Sequence, residues 1–178
     1  MRAGPHVLAF MLLAGLSPVA AQEEPAPALR LSYPEKRWSL TADLEGFVLG
    51  EPRLSATGDL VSVSGYDPDS GLILSARLEP ARVDGDATVC RQYHWRNLEE
   101  RTPSARQVEF GELGRIAFVE YLVPMTAGAP GDRKRVHACL VHDGVWINIQ
   151  LTTGVYKPED ELELARVLWK LRITDGVP

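Results

Sequence analysis

Apolar and polar residues alternate in short stretches along most of this chain. A period of two is typical of strands that bury one face. The pattern predicts strands over residues 38–42, 47–49, 59–65, 72–78, 108–113, 115–123, 135–142 and 145–152. Several of these stretches carry apolar residues on both faces, as Val136, Ala138 and Leu140 do on one side and Cys139 and Val141 on the other. We therefore expect a sheet that is covered on both sides.

Two turn signals predict which strands pair as hairpins. Asp143-Gly144 separates the last two strands, and both residues tolerate the positive φ angles of a two-residue loop. Residues 66–71 form a dense cluster of turn formers between the strands at 59–65 and 72–78. Each pair is expected to be antiparallel and adjacent.

The first predicted helix covers residues 87–101. Asp86 precedes it and is a good N-cap, because its carboxylate accepts hydrogen bonds from the first free backbone N–H groups. The apolar residues Val89, Tyr93 and Leu98 predict a modest buried face.

A second helix is predicted at the end of the chain, over residues 158–171. Pro158 suits its first position, and acidic residues follow while basic residues come near the end, as the helix dipole favours. The expected buried stripe consists of Leu162, Ala165, Leu168 and Trp169.

The N-terminus has the three parts of a secretory signal. Arg2 is basic, residues 7–16 are an apolar run too short to span a bilayer, and small residues precede a cleavage point after Ala21. No cysteine stands directly after the apolar run, at the position where a lipid would be attached, so a lipoprotein is not expected. The pattern predicts an exported, periplasmic protein with a signal peptide at residues 1–21.

Three segments follow from this division: the signal peptide, a flexible acidic and proline-rich tether at 22–30, and one domain at 31–175. Removing the first 21 of 178 residues leaves 157, enough for a single core. The net charge then changes from −5 to −6, because one arginine and no acidic residue are lost. An acidic chain argues against nucleic acid and anionic membranes as partners.

The order of elements resembles the PsbP/Mog1-like family of sandwiches. The resemblance rests on an opening aromatic strand (residues 37–40, RWSL), early hairpins, one helix, a meander of long strands and a final amphipathic helix ending at residues 168–173. It implies an α+β fold, mainly an antiparallel sheet with helices packed on its faces. Members are mostly non-enzymatic accessory proteins, and the signal is closest to bacterial envelope members of the DcrB type. The family shares no catalytic residues, so none is assigned here.

Two cysteines and two histidines form the one candidate cluster for chemistry. An even cysteine count in an exported chain favours a Cys90–Cys139 disulfide. Two buried free thiols are the alternative. His94 lies one helical turn after Cys90, and His137 lies on the same side of its strand as Cys139, so the four residues could also bind zinc or supply a cysteine–histidine nucleophile pair.

Two further features are candidates for contacts with a partner. Arg133, Lys134 and Arg135 end a Gly/Pro-rich loop and could dock an acidic partner or an anionic ligand. Trp146 lies on the same face of its predicted strand as the polar residues Asn148 and Gln150. An aromatic residue on a polar face can mark a binding surface.

Motifs for hydrolases, zinc proteases, phosphate binding and dinucleotide binding are absent from the sequence. We therefore predict a non-enzymatic accessory or binding protein without a cofactor, whose partner is another envelope protein. The alternative is a small exported metal-binding protein or enzyme that uses Cys90, His94, His137 and Cys139.

Overall fold

Eleven strands and two helices form within residues 28–125 and 129–176, the parts of the chain that the computed structural model describes. The strands are β1 (Ala28–Ser32), β2 (Trp38–Asp43), β3 (Val48–Leu49), β4 (Arg53–Leu54), β5 (Val61–Tyr66), β6 (Ile73–Pro80), β7 (Arg106–Leu113), β8 (Ile116–Pro124), β9 (Asp132–His142), β10 (Val145–Thr152) and β11 (Arg172–Asp175). The helices are α1 (Ala87–Glu99) and α2 (Asp160–Lys170). Neither helix has the length and apolar character needed to cross a membrane.

The strands form two sheets in which every described pair is antiparallel. The larger sheet has the order β3-β5-β6-β10-β9-β8-β7, with β4 also paired to β5. The smaller sheet has the order β1-β2-β11. This arrangement confirms the predicted α+β class with a mainly antiparallel sheet.

Both faces of the larger sheet carry packed layers. Leu74, Ala138 and Ile147 point into the main core, which the smaller sheet and α2 close. Cys139 and Trp146 point to the opposite face, where α1 lies over β8 and β9. The prediction that the central strands are buried on both sides is therefore confirmed.

Local signals in the sequence correctly placed the last hairpin and the start of α1. Asp143 and Gly144 have φ angles of 49° and 74°, the positive values that the tight turn between β9 and β10 requires. The Asp86 carboxylate accepts hydrogen bonds from the backbone N–H groups of Thr88 and Val89 at 2.9 and 3.1 Å. This N-cap fixes the first turn of α1.

The boundary of the predicted tether needs a correction. Residues 28–30 are not part of a tether, because they belong to β1, whose Leu29 is buried in the main core. The predicted signal peptide and residues 22–27 lie outside the described residues.

The buried face of α1 also differs from the prediction. Cys90, Arg91 and Trp95 are buried, whereas Tyr93 is exposed and Val89 is only partly covered. The physical reason is a disulfide between Cys90 on α1 and Cys139 on β9, with Cα atoms 5.9 Å apart. This bond turns the Cys90 side of the helix toward the sheet. Val89 and Tyr93 are therefore left at the edge of the buried face.

We expect the Cys90→Ala/Cys139→Ala double variant to lose about 4 kcal/mol of unfolding free energy, because the bond links residues that are 49 positions apart and so closes a long loop in the unfolded chain. Urea unfolding of the parent and the variant measures the loss, and the parent under reducing conditions is the matched control. Alkylation of two thiols in unreduced, unfolded parent protein would contradict the bond.

Candidate functional site

The four predicted cysteine and histidine residues lie on the facing elements α1 and β9. Cys90 and His94 are on α1, and His137 and Cys139 are on the face of β9 that points toward the helix. Cys90, His94 and Cys139 each place one ligand atom within 4.8 Å of the others. The structure thus brings three of the four residues into one group, and His137 lies outside that group.

The disulfide limits the chemistry of this cluster. Zinc and electrophiles react with cysteine as a thiolate, and neither cysteine of this chain is a free thiol in the structure. A zinc site or a cysteine nucleophile would first require reduction of the bond. Since Cys90 and Cys139 are both buried, the bond is also shielded from solvent.

His94 lies between the disulfide and a carboxylate. Its Nε2 is 3.6 Å from Glu79 Oε1, and Arg82 Nη2 is 3.4 Å from the other oxygen of the same carboxylate. Burial lowers the pKa of His94 more than the charge of Glu79 raises it. The imidazole is therefore a neutral group at neutral pH.

His137 lies deeper in the same face of the sheet, where its side chain is 6% exposed. Burial lowers the pKa of His137 to about 4, reinforced by repulsion from His94 once that imidazole is protonated and from Arg135 and Arg77, and opposed by hydrogen bonding to Gln150. No hydrogen-bond partner for its Nδ1 is found among residues 28–125 and 129–176. This polar atom is therefore buried without the compensation that such atoms usually have.

Trp146 was predicted to contact a partner, and this prediction is wrong. Its side chain is 0% exposed and packs against the rings of Tyr93 and His94, with centroids 5.0 and 5.5 Å away, beside the disulfide. The alternation of β10 placed it correctly on the side of Asn148. The error arose because α1 covers this part of the strand.

The basic run at residues 133–135 lies within β9 and not at a loop tip. Lys134 is buried, and its Nζ lies 2.9 Å from Glu120 Oε1 and 2.5 Å from Glu161 Oε1. It is therefore not available to a partner, which corrects the prediction for this residue. Arg133 is half-buried and its Nε lies 3.0 Å from Met125 Sδ. Arg135 is half-buried on the face opposite to Lys134.

The ion pairs of Lys134 hold α2 to the larger sheet. Burial alone would lower the pKa of Lys134, but the bonds to Glu161 and Glu120 outweigh burial and raise the pKa. The Tyr156 hydroxyl also donates to Glu161 Oε1 at 2.6 Å. These contacts join β8, β9 and the first turn of α2.

The apolar surface of α2 is wider than the core requires. The residues that face the core are Leu164, Val167 and Leu168. Leu162 is 78% exposed and Trp169 is 61% exposed. They are seven residues apart and therefore lie on one side of the helix. The predicted stripe was correct for Leu168 and wrong for Leu162 and Trp169, because α2 turns a neighbouring stripe toward the core.

A groove lies beside these exposed residues, and we call it the α2 groove. It consists of two adjoining depressions with volumes of about 370 and 170 Å³, both lined by Leu113, Leu168 and Trp169. The larger depression is otherwise lined by Gly114, Arg115, Ile116, Leu140, Leu171, Arg172 and Ile173. Its lining is thus mostly apolar, with two arginines.

A third depression, of about 410 Å³, lies at the start of α1 and adjoins the α2 groove at Gly114, Arg115 and Ile116. The helix N-terminus could attract an anion there. However, the Asp86 carboxylate already occupies the N–H groups of Thr88 and Val89. The depression is therefore a weaker candidate than the α2 groove.

Trp169 lines this groove and Leu162 lies outside its lining on the same side of α2, and the sequence pattern wrongly predicted both as buried. A signal for it exists in the chain, because α2 has apolar residues on two sides, Leu164 and Val167 on one and Leu162 and Trp169 on the other. A helix packed on a single sheet buries about one such stripe. The second stripe could have been recognised as surplus apolar surface.

Comparisons with known proteins identify the fold. No protein-family model and no curated protein matches this chain. The solution structure of cyanobacterial PsbP (CyanoP) from Synechocystis sp. PCC 6803 is similar over 91% of this chain and 99% of that chain, with a TM-score of 0.50 and 13% sequence identity. The protein therefore has a PsbP-like fold, as the resemblance in the sequence implied. Identity at this level establishes the fold alone.

We expect stability to fall as the pH drops from about 6.5 to about 4, in part because of His137. In the unfolded chain this histidine binds a proton once the pH falls below its ordinary pKa of 6.5. In the folded chain it does so only near pH 4. The stabilisation is therefore present above pH 6.5 and is lost as the pH falls. The loss amounts to about 3 kcal/mol at most.

Urea unfolding at pH 7 and pH 4.5 tests this expectation. The variant His137→Gln should show a smaller difference between the two pH values than the parent protein. His142→Gln removes a histidine at the end of the same strand and is the matched control. An equal decline in the parent and in His137→Gln would contradict the assignment.

Proposed function

We propose that this protein is an exported, non-enzymatic accessory protein of the bacterial envelope, which binds an apolar segment of another envelope protein in the α2 groove. The observation that carries the proposal is the pair of exposed apolar residues on α2, Leu162 and Trp169, beside a groove with a largely apolar lining. Exposed apolar surface next to a concave lining is typical of protein-binding sites.

Three features support the exported, non-enzymatic part of the proposal. The N-terminal sequence has the form of a secretory signal. The Cys90–Cys139 bond suits an oxidising compartment. The fold is PsbP-like, and proteins of the PsbP/Mog1-like family are mostly accessory proteins without enzymatic activity.

The lining of the groove defines the chemistry of the partner segment. Leu113, Ile116 and Leu140 line it and provide contacts for apolar side chains. Arg115 and Arg172 are exposed at the same depression and favour an acidic residue on the segment. The expected partner segment is therefore apolar with an acidic flank.

A second candidate function is zinc binding by the reduced protein. It is favoured by the ligand atoms of Cys90, His94 and Cys139, which lie within 4.8 Å of one another. Metal analysis of protein purified without chelators, before and after reduction, tests it. One zinc per chain after reduction, lost in His94→Ala, would support it, and no bound zinc in either state would exclude it.

Export is tested separately by the mass of the chain in the periplasmic fraction. We expect a mature protein that begins at Gln22, because cleavage after Ala21 fits the small residues there. The mass should also be two hydrogens lower than that of the reduced chain. Recovery of the full-length chain in the cytoplasm would contradict export and leave the groove to be tested by itself.

The groove is tested by photo-crosslinking in cells. A photoreactive amino acid in place of Trp169 should give a defined crosslinked partner, and the same amino acid in place of Leu54, which is also exposed but lies on β4, should not. The crosslink from position 169 should be lost in Leu162→Ser and retained in Leu54→Ser. Both serine variants should unfold within about 0.5 kcal/mol of the parent, since both side chains are exposed.

Mass spectrometry of the crosslinked peptide identifies the segment. An apolar segment with an acidic flank, from a single envelope protein, supports the proposal. A crosslink that is unchanged in Leu162→Ser, or one that appears equally at positions 169 and 54, would show that the α2 groove is not the binding site.

A further inference from the structure

The face of the larger sheet on which α1 lies is polar in the part that the helix leaves uncovered. On this face β5, β6, β9 and β10 contribute Ser62, Ser64, Tyr66, Ile73, Ser75, Arg77, Glu79, Arg135, His137, Asn148, Gln150 and Thr152. We call it the open polar face. It includes two arginines and a single acidic residue, although the whole chain has a net charge of −5.

The single acidic residue is already paired. Glu79 lies at one end of the face, where its carboxylate contacts Arg82 and His94. Among the described residues, neither Arg77 nor Arg135 has a carboxylate within salt-bridge distance. The face therefore carries two positive charges without counter-charges.

The pairing of the strands places these groups around one centre. Gln150 on β10 is directly opposite His137 on β9, and Asn148 on the same strand is directly opposite Arg77 on β6. Arg135 precedes His137 by two residues and therefore lies on the same face. Arg77 thus lies beside Asn148 at one side of this group, and Arg135, which is opposite Thr152, lies at the other side, next to His137 along β9.

Buried polar atoms without partners lie within this set. His137 is 6% exposed and Asn148 is 2% exposed. Within residues 28–125 and 129–176, His137 Nδ1, Asn148 Oδ1 and Arg135 Nε have no hydrogen-bond partner. Such atoms are uncommon in native proteins, and each one calls for a partner. A bound ligand would supply one.

We infer that the open polar face binds a small oxyanion, a carboxylate or a phosphate, between Arg77 and Arg135 and next to His137. Guanidinium groups pair with carboxylate and phosphate oxygens through two parallel hydrogen bonds. The imidazole of His137 can donate one more hydrogen bond. The Asn148 amide can also donate, because rotation by half a turn exchanges its oxygen and nitrogen without changing its shape. This site lies on the opposite side of the sheet from the α2 groove, so it does not depend on the proposed function.

The test is an NMR titration of the mature protein with two probes, inorganic phosphate and succinate, each at constant ionic strength. Saturable shifts are expected for the side-chain resonances of Asn148 and Gln150 and for the imidazole of His137. Saturation with phosphate alone or succinate alone assigns the oxyanion class. Sodium chloride at the same ionic strength should give no such shifts.

Single substitutions then locate the site. Arg77→Gln and Arg135→Gln should each weaken binding about tenfold or more, the effect of losing a charged hydrogen-bonding partner. Arg30→Gln removes an exposed arginine from β1 and should leave the affinity unchanged. Because Arg77 is exposed, its variant tests the site even if Arg135→Gln folds poorly. Shifts that do not saturate with either probe, or that are the same in Arg77→Gln and the parent, would overturn the inference.

Discussion

The covalent bond between Cys90 and Cys139 determines how α1 lies on the larger sheet. α1 buries few side chains, and one of them is Arg91, whose guanidinium donates to the backbone oxygens of Gly111 and Phe118. Packing of Trp95 against Tyr121, with ring centroids 5.2 Å apart, supplies the main apolar contact near the other end of the helix. The bond therefore fixes the rotation of a helix that apolar burial alone would hold weakly.

The position of α1 gives the two halves of this sheet face different chemistry. Over β8 and β9, the helix and the disulfide exclude water and bury Trp146. Over β5, and over β6 and β10 beyond Glu79 and Trp146, the side chains on this face are mostly polar. The other face is closed by α2 and the smaller sheet, with the α2 groove at its edge. A polar surface and an apolar groove are thus on opposite sides of one sheet.

Much of the fold was predictable because its signals are local. Asp143-Gly144 specifies a tight turn, Asp86 caps a helix, and two-residue alternation marks strands wherever one face is buried. The candidate sites were harder to predict. α2 has apolar residues on more than one side, so the sequence does not decide whether Trp169 faces the core or the solvent. Likewise Trp146 alternates with polar residues but lies where α1 covers the strand.

The sequence by itself determined the two helices, the long strands, the order of the hairpins and the α+β class, and it favoured a bond between the two cysteines. These follow from short-range periodicity, turn chemistry and a cysteine count that allows one internal bond. The tertiary structure decided which faces of α1 and α2 are buried, that Lys134 is held between two glutamates, and that Arg77 and Arg135 lie on the same sheet face as one buried histidine. Burial depends on which element packs on which part of the sheet, and residues distant in the chain set that geometry.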